Sequence, residues 1–336
     1  MALWTDVIDP ETLSGFARRS LSEYEAAKGT LARWLPNKEV ADAVVRFMAG
    51  TSGLVEEARY RSFDAEPEFG SGPRGKRVTV DLPPLSQQGM ISERDQVRLR
   101  SADDDVRTRI LTDATRDAVR AVADRSERQR GQVLVSGQAV IDQDNYADTY
   151  DYGRDASMSV TAGTLWSGSA NPLADLQAWV DHYSDVNGEA PGSLVTSSRV
   201  ARILAAHDAF AVQLANGGSR PGSRDDVNAI LAGIGLPSIT IYDRKTSSGR
   251  VIPDDRVLFL PAAVDPDGES ELGATFWGQT LASQEPSFEI AESEQPGIVA
   301  AAFTHDGIPP IRHTFVDSLT LPVGANMNLS FVAKVL

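Results

Sequence analysis

The sequence predicts an α+β fold, and three observations lead there. Segments with helical and strand periodicity mix along the chain without the regular strand–helix–strand alternation of a doubly wound sheet. A one-sided helical pattern without proline or glycine runs from Val106 to about Arg130. Ahead of it, a turn rich in glycine and proline, Pro67 to Gly75, separates two alternating segments. At 336 residues the chain has room for about two domains.

Taken in order, residues 10–50 open with Leu13, Phe16, Ala17, Leu21 and Tyr24 at spacings of three and four, a narrow apolar stripe on a charged helix. Pro36 interrupts it, and Val40, Val44, Phe47 and Met48 start a second short stripe. Two short helices that bury so little read as an arm packing on other parts of an assembly, with Phe16, Leu21 and Tyr24 as contact candidates. Glu57 to Asp64 and Lys76 to Leu82 then read as the strands of a hairpin, the second alternating Val78, Val80 and Leu82. Eleven residues at roughly 3.3 Å each make an arm of about 35 Å. An isolated two-stranded ribbon is marginal in water, so this one is expected to rest on a neighbouring subunit. Phe69, Arg74, Lys76 and Arg77, at and beside its tip, are the contact candidates.

Asp103, Asp104 and Asp105 supply an N-cap and an acidic first turn for the long helix. Its stripe is Val106, Ile110, Leu111, Ala114, Ala118, Val119 and Val122, with Gly131 and Gly137 at a fraying end. Opposite charges at Asp105/Arg109, Asp113/Arg116, Asp117/Arg120 and Asp124/Arg128 are spaced for ion pairs. Strand-like residues follow from Tyr146 to Val160, then a helix with Pro172 at its first position and Leu173, Leu176, Trp179, Val180 and Tyr183 inward. Next come strand Ser193–Thr196, helix Arg199–Leu214, a glycine-rich turn at Gly217–Gly222, helix Asp225–Leu231 and strand Ser238–Tyr242. The remainder reads as short strands: Arg256–Leu260, Ala274–Trp277, Ile298–Phe303, Ile311–Val316 and Leu329–Val335.

Composition excludes more chemistry than it suggests. With no cysteine there is no disulfide, zinc–thiolate site or thiol nucleophile. No apolar run approaches the length of a membrane span, and no signal segment is evident. Net charge is −15, and residues 140–336 carry 25 acids against 11 bases, which accounts for −14 of it. Such a surface repels phosphates. Gly70, Gly72 and Gly75 match a dinucleotide-binding spacing, but a strand and not a helix N-terminus follows them. His182, His207, His305 and His313 form no zinc-binding pattern. Asp265 to Glu271 lacks the ligand spacing of a calcium loop. The expectation is therefore a protein with no catalytic residues, cofactor or metal.

The order of elements resembles the major capsid proteins of tailed bacteriophages, the Hong Kong 97 fold, in its lambda-type branch (the major capsid protein E family). The stretches that look alike are Trp4 to Leu13, Phe63 to Leu82, Trp166 with Asn171 to Trp179, Gly192 to Thr196, Leu319 to Pro322 and Phe331 to Leu336. By that resemblance residues 1–50 form an N-terminal arm and 51–101 an extended loop. Residues 102–162 with 297–336 form a peripheral domain on the long helix, and 163–296 an axial domain. The implied function is self-assembly as hexamers and pentamers into an icosahedral head enclosing double-stranded DNA, with a decoration protein, a scaffold protein and a portal as partners. The implied location is the virion, assembled in the cytoplasm of the bacterial host, with no membrane involved. Some members weld their subunits through a Lys–Asn bond. Lys76, Asn326 and Asn328 do not align with that pattern, so no cross-link is expected. An encapsulin-like compartment shell is the alternative.

Overall fold

A computed structural model describes residues 2–49, 76–101, 103–143, 146–168, 170–213, 219–305, 307 and 311–336. Two helices and three sheets organise it. Helix α1 (Pro10–Lys28) begins where Asp9 caps Thr12, its Oδ1 accepting the backbone N–H at 2.7 Å. α2 (Glu93–Ser101) is short, and α3 (Asp104–Ser136) is the long helix that the periodicity predicts. It does not fray at Gly131. That residue is buried mid-helix, where an added Cβ would stand 2.5 Å from the Val251 side chain and backbone. The helix ends at Gly137, in the left-handed region at φ 75°, donating to Val133 O at 2.8 Å.

Strands β1 (Ala2–Leu3), β17 (Val299–His305), β18 (Ile311–Asp317) and β5 (Gln87–Met90) form one antiparallel sheet in that spatial order. Helices α1 and α3 pack on it and on each other. Leu13, Ala17, Ala118, Val119, Val122, Trp277, Ile298, Ala300 and Val316 close the core between them. The expectation of an arm that buries little is corrected here: α1 lies against α3 of its own chain.

A second sheet carries β12 (Ile239–Ile241), β9 (Ser193–Thr196), β15 (Arg256–Leu260), β20 (Phe331–Lys334) and β8 (Ser159–Thr161). It is mixed, with β12/β9 and β20/β8 parallel and the inner pairs antiparallel. Helices α4 (Pro172–Asn187), α5 (Ser198–Ala206) and α6 (Arg224–Gly233) contribute Leu176, Val180, Tyr183, Val200, Leu204, Val227 and Leu231 to the large core that this sheet shares. Helix α5 is shorter than the predicted 199–214 because 208–210 turn as a 3-10 helix and β10 (Val212–Gln213) pairs with β11 (Ser219–Arg220). A third sheet orders β19 (Leu319–Gly324), β16 (Gly273–Gly278) and β2 (Asn37–Glu39). Small ribbons β13 (Lys245–Thr246) with β14 (Gly249–Arg250) and β6 (Gln138–Gln143) with β7 (Tyr146–Asp151) complete the set.

The hairpin strand predicted at Lys76–Leu82 is present as β4 (Lys76–Asp81), but its partner differs. It pairs with β3 (Val44–Ala49), from Val44↔Asp81 to Ala49↔Lys76. The stretch 44–49 is therefore a strand and not the second helix. Alternation explains the outcome: Val45 is buried and Phe47 half-buried, while Arg46 and Met48 face water. The predicted partner, Glu57–Asp64, lies outside the described residues, as does the glycine-rich turn from 67 to 75.

Candidate functional site

Three features have the geometry to matter: the ribbon, a buried ionic joint, and a cleft at the ribbon root. The β3–β4 ribbon is anchored through Val45, Val80 and Leu82, which join the main core. Phe47 meets Tyr152 with ring centroids 6.0 Å apart, and the Tyr150 hydroxyl donates to Asp81 O at 3.3 Å. Lys76 opens β4, and Arg77 on it is exposed. Phe69 and Arg74 lie outside the described residues.

The three helical contact candidates are held by their own chain. Phe16 lies under the Arg116 guanidinium at 5.3 Å. Leu21 packs against the core closed by α1 and α3. The Tyr24 hydroxyl donates to Asp124 Oδ1 at 3.1 Å, and its ring is flanked by Arg120 and Arg244.

Elements α1, α3, β2, β16 and the loop after β12 meet around one fully buried cation. Arg130 Nη1 donates to Glu25 Oε1 (2.6 Å), Glu127 Oε2 (2.9 Å) and Thr30 Oγ1 (3.0 Å), and Nε to Thr275 Oγ1 (2.9 Å). Its Nη2 reaches Asn37 Oδ1, which also accepts from Trp277 Nε1 at 2.8 Å. Glu127, equally buried, accepts from Leu31 N at 2.7 Å and from the Tyr242 hydroxyl. Arg244 bridges outward to Asp124 (3.0 Å) and Gly29 O (2.8 Å). Burial works against the charge on Arg130, yet Glu25 and Glu127 outweigh it and hold its pKa above the ordinary value. Tyr242 is pushed up by burial and by Glu127, so it stays a hydrogen-bond donor. This constellation joins elements; it leaves no reactive group open to a substrate. Its members are scattered from residue 24 to 277, which hides the joint from a reading of the sequence. One signal was present: Glu127 and Arg130 lie on the same helical face as Ala123 and Leu134, where a solvated pair has no place.

At the ribbon root a cleft of about 280 Å³ opens between the strand connection Pro83–Pro84–Leu85, α3 and the β6–β7 ribbon. Ile141, Leu321 and Pro322 supply apolar wall, and Tyr146 stands among the lining residues.

Of the histidines, His207 accepts from Ala209 N at 3.1 Å and contacts Ala170 O at 2.9 Å, a loop-holding role. His182 sits edge-on to Phe331, and His313 stacks on Phe303. Burial, then His305, lowers the His313 pKa. Among the described residues no group of three or more acidic or histidine side chains is placed to hold a metal ion. Nor is any helix there long and apolar enough to cross a membrane.

A family model for phage major capsid protein E matches residues 32–276. No curated protein sequence matches significantly. Among solved structures, a prophage capsid protein of E. coli CFT073 superposes with a TM-score of 0.60 at 14% identity, covering 100% of both chains. A phage-related protein of Bordetella bronchiseptica RB50 gives 0.60 at 15%, covering 98% of each. The virus-like particle protein of Pyrococcus furiosus gives 0.51 at 12%, covering 95% of this chain and 98% of that one.

Proposed function

Because the chain belongs to the phage major capsid protein E family, whose role is structural, we propose that it assembles as hexamers and pentamers into an icosahedral head around double-stranded DNA. The match across 32–276 carries this reading, since it spans the ribbon, α3 and most of the second sheet. The α+β fold shared with the prophage capsid protein and the phage-related protein supports it. In this reading residues 51–101 reach a neighbouring subunit, with Phe69, Arg74, Lys76 and Arg77 at the contact. Residues 163–296 meet their copies around the capsomer axes, and residues 102–162 with 297–336 carry the shell wall. The chain performs no catalysis. A scaffold protein, a decoration protein and a portal act with it, and assembly takes place in the host cytoplasm before the protein resides in the virion. The acidic half, 25 acids against 11 bases, suits a wall that must not hold its DNA.

Electron microscopy of the concentrated purified protein, alone and co-expressed with scaffold, tests the proposal. Closed shells of uniform size are expected, and after infection they should protect double-stranded DNA from nuclease. Protein that stays monomeric under all these conditions refutes assembly. Shells filled with a packaged enzyme instead of DNA support the compartment alternative.

A further inference from the structure

The cleft at the ribbon root sets an apolar wall beside polar groups and a cation that lack partners among the described residues. Three polar atoms of its lining residues, Ser126 Oγ, Gln129 Oε1 and Thr320 Oγ1, are buried without a hydrogen-bond partner. The residues that carry them are 2%, 5% and 5% exposed. Gln129 uses its Nε2 on Val140 O at 3.0 Å, which leaves an oxygen that only a donor can satisfy. The two hydroxyls can donate as well as accept. Buried polar groups left like this are costly. Arg125 also lines the cleft, half-buried beside Arg128, and its guanidinium has no ion pair or hydrogen bond among the described residues. An unpaired guanidinium on an apolar cleft calls for a carboxylate.

On the described surface, Leu281 and Glu285 supply matching chemistry. Leu281 is 88% exposed, the highest value among the large apolar side chains. Its turn is stiffened by Ser283, whose N–H donates to Thr280 Oγ1 (3.0 Å) and whose Oγ donates to Thr280 O (2.8 Å). Glu285, four residues on, is exposed, within a stretch of eight acids and no base from 265 to 294. At that exposure Leu281 does not fill the cleft of its own chain, so any union of the two is between copies. Such a contact joins unlike patches, the kind that closes rings.

We propose that the Thr280–Glu285 turn of one copy docks in the Pro83–Leu85/α3 cleft of the next, Leu281 against the apolar wall and Glu285 on Arg125. This rests on the assembly reading above. The test compares Arg125→Glu, Leu281→Asp and the charge swap Arg125→Glu/Glu285→Arg with the parent, by light scattering and electron microscopy at matched concentration. Circular dichroism serves as the folding control; Leu281 is exposed, so its replacement leaves the fold intact. Each single variant should raise the concentration needed for assembly by about tenfold or more, the loss of roughly 1.4 kcal/mol per contact, and the swap should recover most of it. Single variants that assemble like the parent overturn the docking. Loss with Arg125→Glu but none with Leu281→Asp overturns this choice of occupant. A parent that never assembles removes the function and the contact together, whereas an assembling parent with indifferent variants removes the contact alone.

Discussion

Replacing Arg130 by methionine tests whether the buried joint holds the subunit together. The methionine nearly fills the space but removes five hydrogen bonds, to Glu25, Glu127, Thr30, Asn37 and Thr275. Glu127 keeps Leu31 N, Thr30 Oγ1 and the Tyr242 hydroxyl, with Arg244 at 3.8 Å. Glu25, whose side chain is 6% exposed, keeps only the Asn37 amide at 3.3 Å. Breaking a buried pair from one side costs about 3–5 kcal/mol, because the other charge is stranded. For 336 residues at about 2.1 cal/mol/K each, the unfolding entropy is about 0.7 kcal/mol/K. A loss of about 4 kcal/mol then lowers Tm by about 6 °C. Thermal unfolding of the dispersed subunit, followed by circular dichroism, reads this directly. Adding Glu25→Gln to Arg130→Met should restore part of the loss, since no carboxylate is then left facing the gap. A shift below about 2 °C, or strictly additive losses in the double variant, would refute the reasoning.

Three further outcomes follow from single sites. Gly131→Ala should destabilise by about 1–3 kcal/mol despite alanine's better helix propensity, because the new Cβ meets Val251 at 2.5 Å; urea unfolding checks it, and an unchanged midpoint counts against the packing. Asp9→Ala should cost about 1 kcal/mol through loss of the α1 cap, seen as a Tm lowered by roughly 1–2 °C. Thr12 N–H holds the Asp9 pKa below its ordinary value, so the cap's contribution is present above that ordinary value and fades as pH falls through the folded one. Asp317 is the opposite case: burial raises its pKa although Ser86, Ser318 and Thr280 hydrogen bonds pull it down. The folded state binds its proton more tightly, so stability from this group falls as pH rises through the folded value. Asp317→Asn should therefore melt at or above the parent at pH 7, with the advantage shrinking toward pH 4; a difference independent of pH would argue against this.

The parts of the fold legible in the sequence were those whose burial is one-sided and local. Helix α3 announced itself through Leu111, Ala118, Val119 and Val122, and Arg256–Leu260 through an apolar run between turns. Of its four charge pairs, Asp113/Arg116 (2.6 Å) and Asp117/Arg120 (3.1 Å) form. Asp124 turns away from Arg128 to Arg244 and Tyr24, a tertiary choice that helix spacing cannot display. Strand β3 was misread because Val40, Val44, Phe47 and Met48 satisfy a helical period as well as the Val45/Phe47 alternation satisfies a strand. Strand β19 was passed over because it contains Pro322. The missing N–H costs little there, since among the described residues β16 is its only ladder partner and Pro84 alone bridges its other side. Of the β6–β7 ribbon, β7 falls within the strand-like stretch from Tyr146 to Val160, whereas β6 has few apolar residues to signal it, with only Ala139 and Ile141 buried. The charged joint is faint for a different reason: apart from sharing a face with Ala123 and Leu134, Glu127 and Arg130 look like surface residues until α1 and Tyr242 arrive from elsewhere.

The joint and the ribbon belong to one mechanical argument. A two-stranded ribbon has too little apolar surface to keep its direction alone, so its aim is set where Val45, Val80 and Leu82 enter the core. That core is bounded by α3, and α3 is tied to α1, β2 and β16 through Arg130. Apolar packing tolerates small slips of a helix along its neighbour, whereas a guanidinium bonded to Glu25, Glu127, Thr30, Asn37 and Thr275 has one geometry that satisfies every partner. In a shell made of copies, an error in the aim of each ribbon would add from subunit to subunit. A buried ionic joint that contributes modest net stability but a single orientation is suited to that requirement, and Arg130→Met subunits that fold should consequently form shells of irregular size.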